Sequence, residues 1–211
     1  FRRHLLRQRI PCIGGMVVND RCNLNCRACR VGGPSGVDQS AEDVIDGMNE
    51  LYNRGIRSIF FVGGEPFIWR DGQITLEDLV QKSRDIGFKV SSVYTNGTLP
   101  LDSSADTLFV SLDGTKDSND CLRGEIFDRV ISNIEHSDHQ NIIINSTINT
   151  QNQADLESFC HYVSELKDVS GIYYYFHTPY YGMDELYLNL NERRQIIKRI
   201  IRLKKKAYPV F

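Results

Sequence analysis

The sequence predicts an α/β fold, a partial (β/α)6 barrel of parallel strands. Three observations predict it. First, six apolar runs of strand length recur along the 211 residues: Ile13–Val18, Ser58–Val62, Lys89–Tyr94, Thr107–Leu112, Asn141–Ile148 and Gly171–Phe176. Several are continuous and rich in β-branched residues, as strands buried on both faces are. Second, helical patterns with start and stop signals lie between them. Third, glycine-rich and polar segments follow their carboxyl ends, where ligands gather in parallel α/β sheets. A closed eight-unit barrel needs about 250 residues, so six units imply an open one. A doubly wound open sheet is the alternative topology.

The elements follow in order. After the first run, Ser40-Ala41-Glu42-Asp43 places a capping hydroxyl three residues before an acid and starts a helix that stops near Gly55. After the second run, Thr75-Leu76-Glu77-Asp78 repeats the signal, and Gly87 ends that helix. Leu99–Asp106 is too short for more than a turn of helix. Further helices are expected over Ile126–Ser137, Ala154–Leu166 and Asn191–Lys206. The expected division is an N-terminal extension over 1–12, a barrel domain over 13–190, and a basic amphipathic helix over 191–211 packing on the barrel. A chain that starts on Phe1 and stops at Phe211 reads as cut from a longer one.

Composition narrows the function. Hydrophobic residues make up 41% and charged residues 25%, as in soluble globular proteins, and a net charge of −2 gives no global electrostatic case for nucleic acid. No apolar stretch reaches the roughly 18 residues of a membrane span. The basic start Phe1-Arg2-Arg3-His4 has no apolar core of a signal peptide behind it. The expected location is cytoplasmic.

Cys22, Cys26 and Cys29 stand at C-x3-C-x2-C spacing just after the first apolar run. A [4Fe–4S] cluster held wholly by protein needs four thiolates, so three close cysteines leave one iron open to a small molecule. A structural zinc site would need a second pair, and Cys12, Cys121 and Cys160 are scattered, in contexts that read as packing. An electron carrier would need a fourth ligand, for which Cys12 alone is near in sequence.

Each other run is followed by its own polar segment: Gly63-Gly64-Glu65-Pro66, Thr95-Asn96-Gly97-Thr98, Ser111-Leu112-Asp113-Gly114, Asn145 to Asn149, and His177-Thr178-Pro179-Tyr180-Tyr181. In this order, together with the cysteine motif, these segments resemble the radical S-adenosylmethionine (SAM) enzymes. The resemblance implies a [4Fe–4S] cluster on Cys22, Cys26 and Cys29 whose fourth iron is chelated by the amino and carboxylate groups of SAM. It implies that Gly63, Gly64 and Glu65 hold the methionyl amino group, and that Ser111 contacts the cofactor. Asp113-Gly114 is expected to shape the following turn. Arg123 resembles an arginine that pairs with the SAM carboxylate. Asn145 and Thr147 share one strand face and Ser146 points the other way, and one of these two sets is expected to reach the ribose or adenine, while Thr95 and Asn96 line the pocket or cap a turn. Ala28 departs from the aromatic residue that many members carry there.

The implied activity is reductive cleavage of SAM to a 5′-deoxyadenosyl radical that abstracts hydrogen from a substrate or adds to it. Ile126-Phe127-Asp128-Arg129-Val130 and the Asn145-Ser146-Thr147 strand loosely resemble the branch containing the hopanoid-biosynthesis adenosyltransferase, which implies a lipid or isoprenoid substrate. Peptide or other small-molecule modification is the alternative within the family. A reducing partner such as flavodoxin or ferredoxin is implied. Tyr173, Tyr175, His177, Tyr180 and Tyr181 are the substrate-side candidates, with His177 and Tyr175 as catalytic ones. The basic face of the last helix, Arg193 to Lys206, suits an anionic membrane surface or simply solvent.

Overall fold

The computed structural model describes residues 11–29, 31–33, 36–180 and 182–211. The basic N-terminal segment and Tyr181, both singled out above, lie outside the described residues.

The fold class is the expected α/β arrangement of parallel strands. The principal strands are β1 (Ile13–Asn19), β2 (Ser58–Gly63), β5 (Val90–Thr95), β6 (Thr107–Ser111), β7 (Ile142–Ile148) and β8 (Val169–Phe176). They form one six-stranded sheet in the order β1-β2-β5-β6-β7-β8. A short antiparallel pair, β3 (Arg70–Asp71) and β4 (Ile74–Thr75), stands apart. The helices are α1 (Ala41–Asn53), α2 (Leu76–Ile86), α3 (Lys116–Arg123), α4 (Phe127–Glu135), α5 (Leu156–Ser164) and α6 (Leu190–Lys205). The chain divides into two compact units. One holds the described residues of 1–23, 31–94 and 103–107; the other those of 24–30, 95–102 and 108–211.

In the first unit, β1 pairs parallel with β2 and β2 with β5. Ser40 caps α1 as expected, its hydroxyl accepting from Asp43 N at 3.1 Å. Thr75 and Asp78 make the capping box of α2. Gly87 ends α2 at φ +112°, a conformation that a Cβ disfavours. Phe61, Ile59, Met48, Leu79 and the fully buried Trp69 form the core. The indole N–H of Trp69 donates to Gln39 O at 2.9 Å, which satisfies its one polar group.

In the second unit, β6 pairs parallel with β7 and β7 with β8. β7 alternates strictly, with Ile142, Ile144, Ser146 and Ile148 buried and Ile143, Asn145 and Thr147 on the less covered face. Leu108, Val110, Val130, Ile134, Phe159 and Ile172 fill the core. α6 buries Ile196 and Leu203, and its Arg199 forks onto Glu157 of α5 with Nε donating at 2.8 Å. The connection over 99–106 holds no helix, as its length implies, whereas α3 is a helix the sequence did not announce.

Candidate functional site

The end of β1 is stitched to the end of β2 within the first unit. Gly64 N donates to Asn19 O at 3.0 Å, Glu65 N to Arg21 O at 2.9 Å, and Asn19 Nδ2 to Glu65 O at 3.0 Å. Arg21 secures the corner with its side chain. Its Nε and Nη2 donate to the two carboxylate oxygens of Asp38 at 3.2 and 2.6 Å, and Nη2 also donates to Ile68 O at 2.8 Å. The bond to Asp38 holds the guanidinium above its ordinary range, against a smaller opposing effect of burial. Glu65 is wholly buried and its Oε1 accepts from Phe67 N at 3.0 Å, capping the short 3-10 turn Pro66–Ile68.

Two glycines at this corner have no room for a side chain. A Cβ at Gly63 would lie 2.1 Å from Asn19 Oδ1 and 2.4 Å from Asn19 O; one at Gly64 would lie 2.3 Å from Arg21 O. Cys22 is buried beside them, with Gly32 as the spacer: a Cβ there would come 2.7 Å from Cys22 Cβ and 3.3 Å from Gly64 Cα. Asn19 Oδ1 is buried and has no hydrogen-bond partner among the described residues. Gly64→Ala is expected to destabilise the protein by about 1–3 kcal/mol, because the obstructing atom is backbone and cannot rotate away. Gly33→Ala, where nothing lies within 4 Å, should stay within about 0.5 kcal/mol. Urea unfolding of both variants checks the difference.

The second unit contains a cavity of about 160 Å³ lined by Cys26, Ala28, Cys29, Asp113, Leu122, Arg123, Thr147, Asn149 and His177. The cysteine loop reaches it through backbone contacts to the end of α3. Arg27 N donates to Leu122 O at 2.8 Å, and Cys26 Sγ stands 4.0 Å from Arg123 O. Arg123 Nε donates to Asp113 Oδ2 at 2.7 Å, with side chains only 15% and 9% exposed. The other carboxylate oxygen of Asp113 accepts from Thr147 N at 2.7 Å. Burial works against the Arg123 charge, but Asp113 and the thiols of Cys26 and Cys29 outweigh it and hold the guanidinium above its ordinary range. The Nη donors of Arg123 make no hydrogen bond among the described residues.

His177 also lines the cavity. It is 6% exposed and its Nε2 is buried without a partner among the described residues. Its main chain is held on both sides, N donating to Ile148 O at 2.8 Å and O accepting from Arg193 Nη2 at 2.8 Å.

Other candidate residues are placed differently. Thr95 Oγ1 accepts from Gly97 N, and Asn96 Oδ1 from Thr98 N and Thr98 Oγ1, which are turn bonds. Neither residue lines the cavity, nor do Ser111 and Asn145. Asn145 Oδ1 is buried and unpartnered on the β7 face it shares with Thr147. Tyr173 and Tyr175, 40% and 42% exposed, form a ring pair 4.7 Å apart, and Tyr173 meets Phe109 edge-on. Tyr180 is largely exposed. Asp113 does more than shape a turn; its partners Arg123 and Thr147 are ten and 34 residues away, which no local signal announces. Among the further cysteines only Cys160 is a packing residue, its thiol pushed up to about 11 by burial and then by Glu157. Cys12 and Cys121 are exposed, one ahead of β1 and one on the open side of α3. Among the described residues, no group of three or more His, Cys, Asp or Glu could hold a metal ion as arranged.

Comparison with known proteins identifies the family. Residues 16–163 match the family described as the Radical SAM superfamily. A probable GTP 3′,8-cyclase of Methanothermobacter marburgensis is 34% identical over 128 residues, covering 60% of this chain and 39% of that protein. An Fe-coproporphyrin III synthase of Methanosarcina barkeri is 29% identical over 212 residues, covering 90% and 51%. The chain thus spans about half or less of the length of these relatives. Among solved structures, SuiB of Streptococcus suis bound to S-adenosylmethionine shares the fold, with TM-score 0.77 and 17% identity over 95% of this chain and 49% of that one. Members of the family are enzymes that use a [4Fe–4S] cluster and SAM and act, with a reductant, on small-molecule or peptide substrates. A match over well more than half of its residues places this chain in the radical SAM superfamily.

Proposed function

We propose that the chain is the part of a radical SAM enzyme that holds the [4Fe–4S] cluster and binds and cleaves SAM. The cavity of the second unit carries the reading, because two thiols there share a wall with a buried arginine whose terminal donors are uncommitted. Cys22, Cys26 and Cys29 would supply thiolates to three irons. Their donor chemistry fits, and loading is expected to gather the loop, since metal binding and local folding are coupled.

Each residue then has a task that its chemistry suits. The buried Glu65, beside the unpartnered Asn19 Oδ1 and the bare backbone of Gly63 and Gly64, would take an ammonium group. Arg123, already aligned by Asp113, would take a carboxylate. Thr147, Asn145, Ser111, Thr95 and Asn96 are the candidates for the ribose and adenine. When held by Cys22, Cys26 and Cys29, the cluster would supply the electron for reductive cleavage of the C5′–S bond of SAM. Leu122, Ala28 and the surrounding backbone would keep water from the bound sulfonium.

A flavodoxin or ferredoxin is the kind of reductant this reading calls for. For the substrate, the exposed ring pair Tyr173–Tyr175 suits a small molecule with a broad apolar or planar face, a class that includes lipids and isoprenoids. No helix among the described residues is long and apolar enough to cross a membrane, so contact with a lipid would be peripheral.

The test is formation of 5′-deoxyadenosine by anaerobically reconstituted protein given SAM and dithionite. Nucleoside that depends on all three reagents supports the reading. Protein with a full complement of iron and sulfide that neither binds nor cleaves SAM would overturn it.

A further inference from the structure

His177 lines the cavity, its Nε2 has no hydrogen-bond partner among the described residues, and Arg193 of α6 fixes the main chain from which it projects. Leaving a buried polar atom without a partner costs about 1–3 kcal/mol, so the imidazole gains by turning toward an occupant of the cavity that it lines. The ring leaves a fixed backbone, since both His177 main-chain groups are bonded, to Ile148 O and to Arg193 Nη2.

Arg193 is itself held on every side. Its Nε donates to Leu188 O at 2.9 Å. Its guanidinium lies 4.5 Å from the Tyr187 ring centroid and 5.2 Å from that of Phe176. It leaves the first turn of α6, where Asn189 and Glu192 form a reciprocal capping box. A planar fork can bridge two carbonyls while stacking between two rings, and a lysine ammonium cannot. This is more restraint than a helix needs in order to pack.

We infer that Arg193 is a positioning residue. By bridging the carbonyls of His177 and Leu188 it holds His177 in the cavity wall, where the imidazole can meet the bound SAM, so that α6, which lines no part of the cavity, sets its polar chemistry. The inference rests on the reading of the cavity as the SAM site.

A double-mutant cycle tests it, with SAM affinity measured by calorimetry on cluster-loaded protein without reductant. His177→Ala and Arg193→Ala should each weaken binding by about tenfold, the worth of one hydrogen bond. The double variant should be no weaker than the worse single one, because each removes the same interaction. Arg193→Lys, which keeps the charge and stem, should lose a large part of the affinity while retaining the thermal midpoint, and it stands in should Arg193→Ala fail to fold. Losses that multiply to about a hundredfold would show that Arg193 acts independently and overturn the inference. So would unchanged affinity in His177→Ala. Wild-type protein with an intact cluster that binds no SAM would instead overturn the reading of the site itself.

Discussion

Cys26→Ala is expected to abolish 5′-deoxyadenosine formation, lowering it by at least about a hundredfold, since even outer-shell changes at metal sites cost 10–100-fold. Iron and sulfide content after reconstitution should fall with it. The cluster-free variant should melt where the cluster-free wild type does, because Cys26 is partly exposed and its thiol meets Arg123 O only at the long distance of 4.0 Å. The comparison with the other cysteines makes the result diagnostic. Cys121→Ala changes an exposed thiol and should alter nothing. Cys160→Ala should cost about 1 kcal/mol of packing and leave the cluster in place. Cys12→Ala addresses the electron-carrier alternative. Cys12 and Cys22 lie beyond opposite ends of β1, a seven-residue strand about 20 Å long, so Cys12 is badly placed to complete a four-cysteine set. Retained cluster in Cys12→Ala, with loss in Cys26→Ala, is the expected outcome. Retained cluster and activity in Cys26→Ala would refute the ligand assignment.

Asp113→Ala should be the most destabilising change in the second unit. It strips the partner from a guanidinium that is only 15% exposed and leaves the amide of Thr147 without its acceptor. Breaking a buried pair from one side costs about 3–5 kcal/mol, a large part of the about 5–15 kcal/mol that holds a domain together. Asp113→Asn keeps an acceptor for Thr147 N and removes only the charge, so it should cost less and still weaken SAM binding, by freeing Arg123 from its alignment. Urea unfolding of the cluster-free protein reads the first effect, and calorimetry of the loaded protein reads the second. A loss below about 1 kcal/mol in Asp113→Ala, the level of an exposed pair, would show that water reaches the pair and compensates it.

The strands were legible because burial on both faces leaves a continuous apolar signature that needs no knowledge of the partner strand. Ser58–Val62 and Thr107–Leu112 were placed to within one residue of β2 and β6. The start of β8 was missed by two residues, because Val169 and Ser170 precede the glycine taken as its boundary. Helix starts were legible where a hydroxyl and an acid stand three residues apart, as at Thr75 and Asp78. α3 was not, because its Lys116-Asp117-Ser118-Asn119-Asp120 opening is polar and shows no apolar period; Asn119 is held by a bond from Asp113 N instead. At the site, Cys26, Cys29, Arg123, Thr147 and His177 were foreseen and share one cavity. Asp113, Asn149 and Leu122 were missed as cavity residues, since their roles come from contacts formed only by the folded sheet. Arg193 was read as one more cation on a basic helix. Nothing in its sequence neighbourhood distinguishes it from Arg194, and only the carbonyls it meets do.

The anchoring of the cysteine loop on the end of α3 has a consequence for how the protein is made. Cys26 and Arg123 are 97 residues apart, yet the loop draws its backbone restraint from that helix end. A chain still emerging from the ribosome exposes its thiols long before the segment that steadies them exists. Iron and sulfide delivered at that stage would meet a flexible tripod open to oxidation. Cluster assembly is therefore expected to be post-translational, beginning once α3 has been released and folded beside α4.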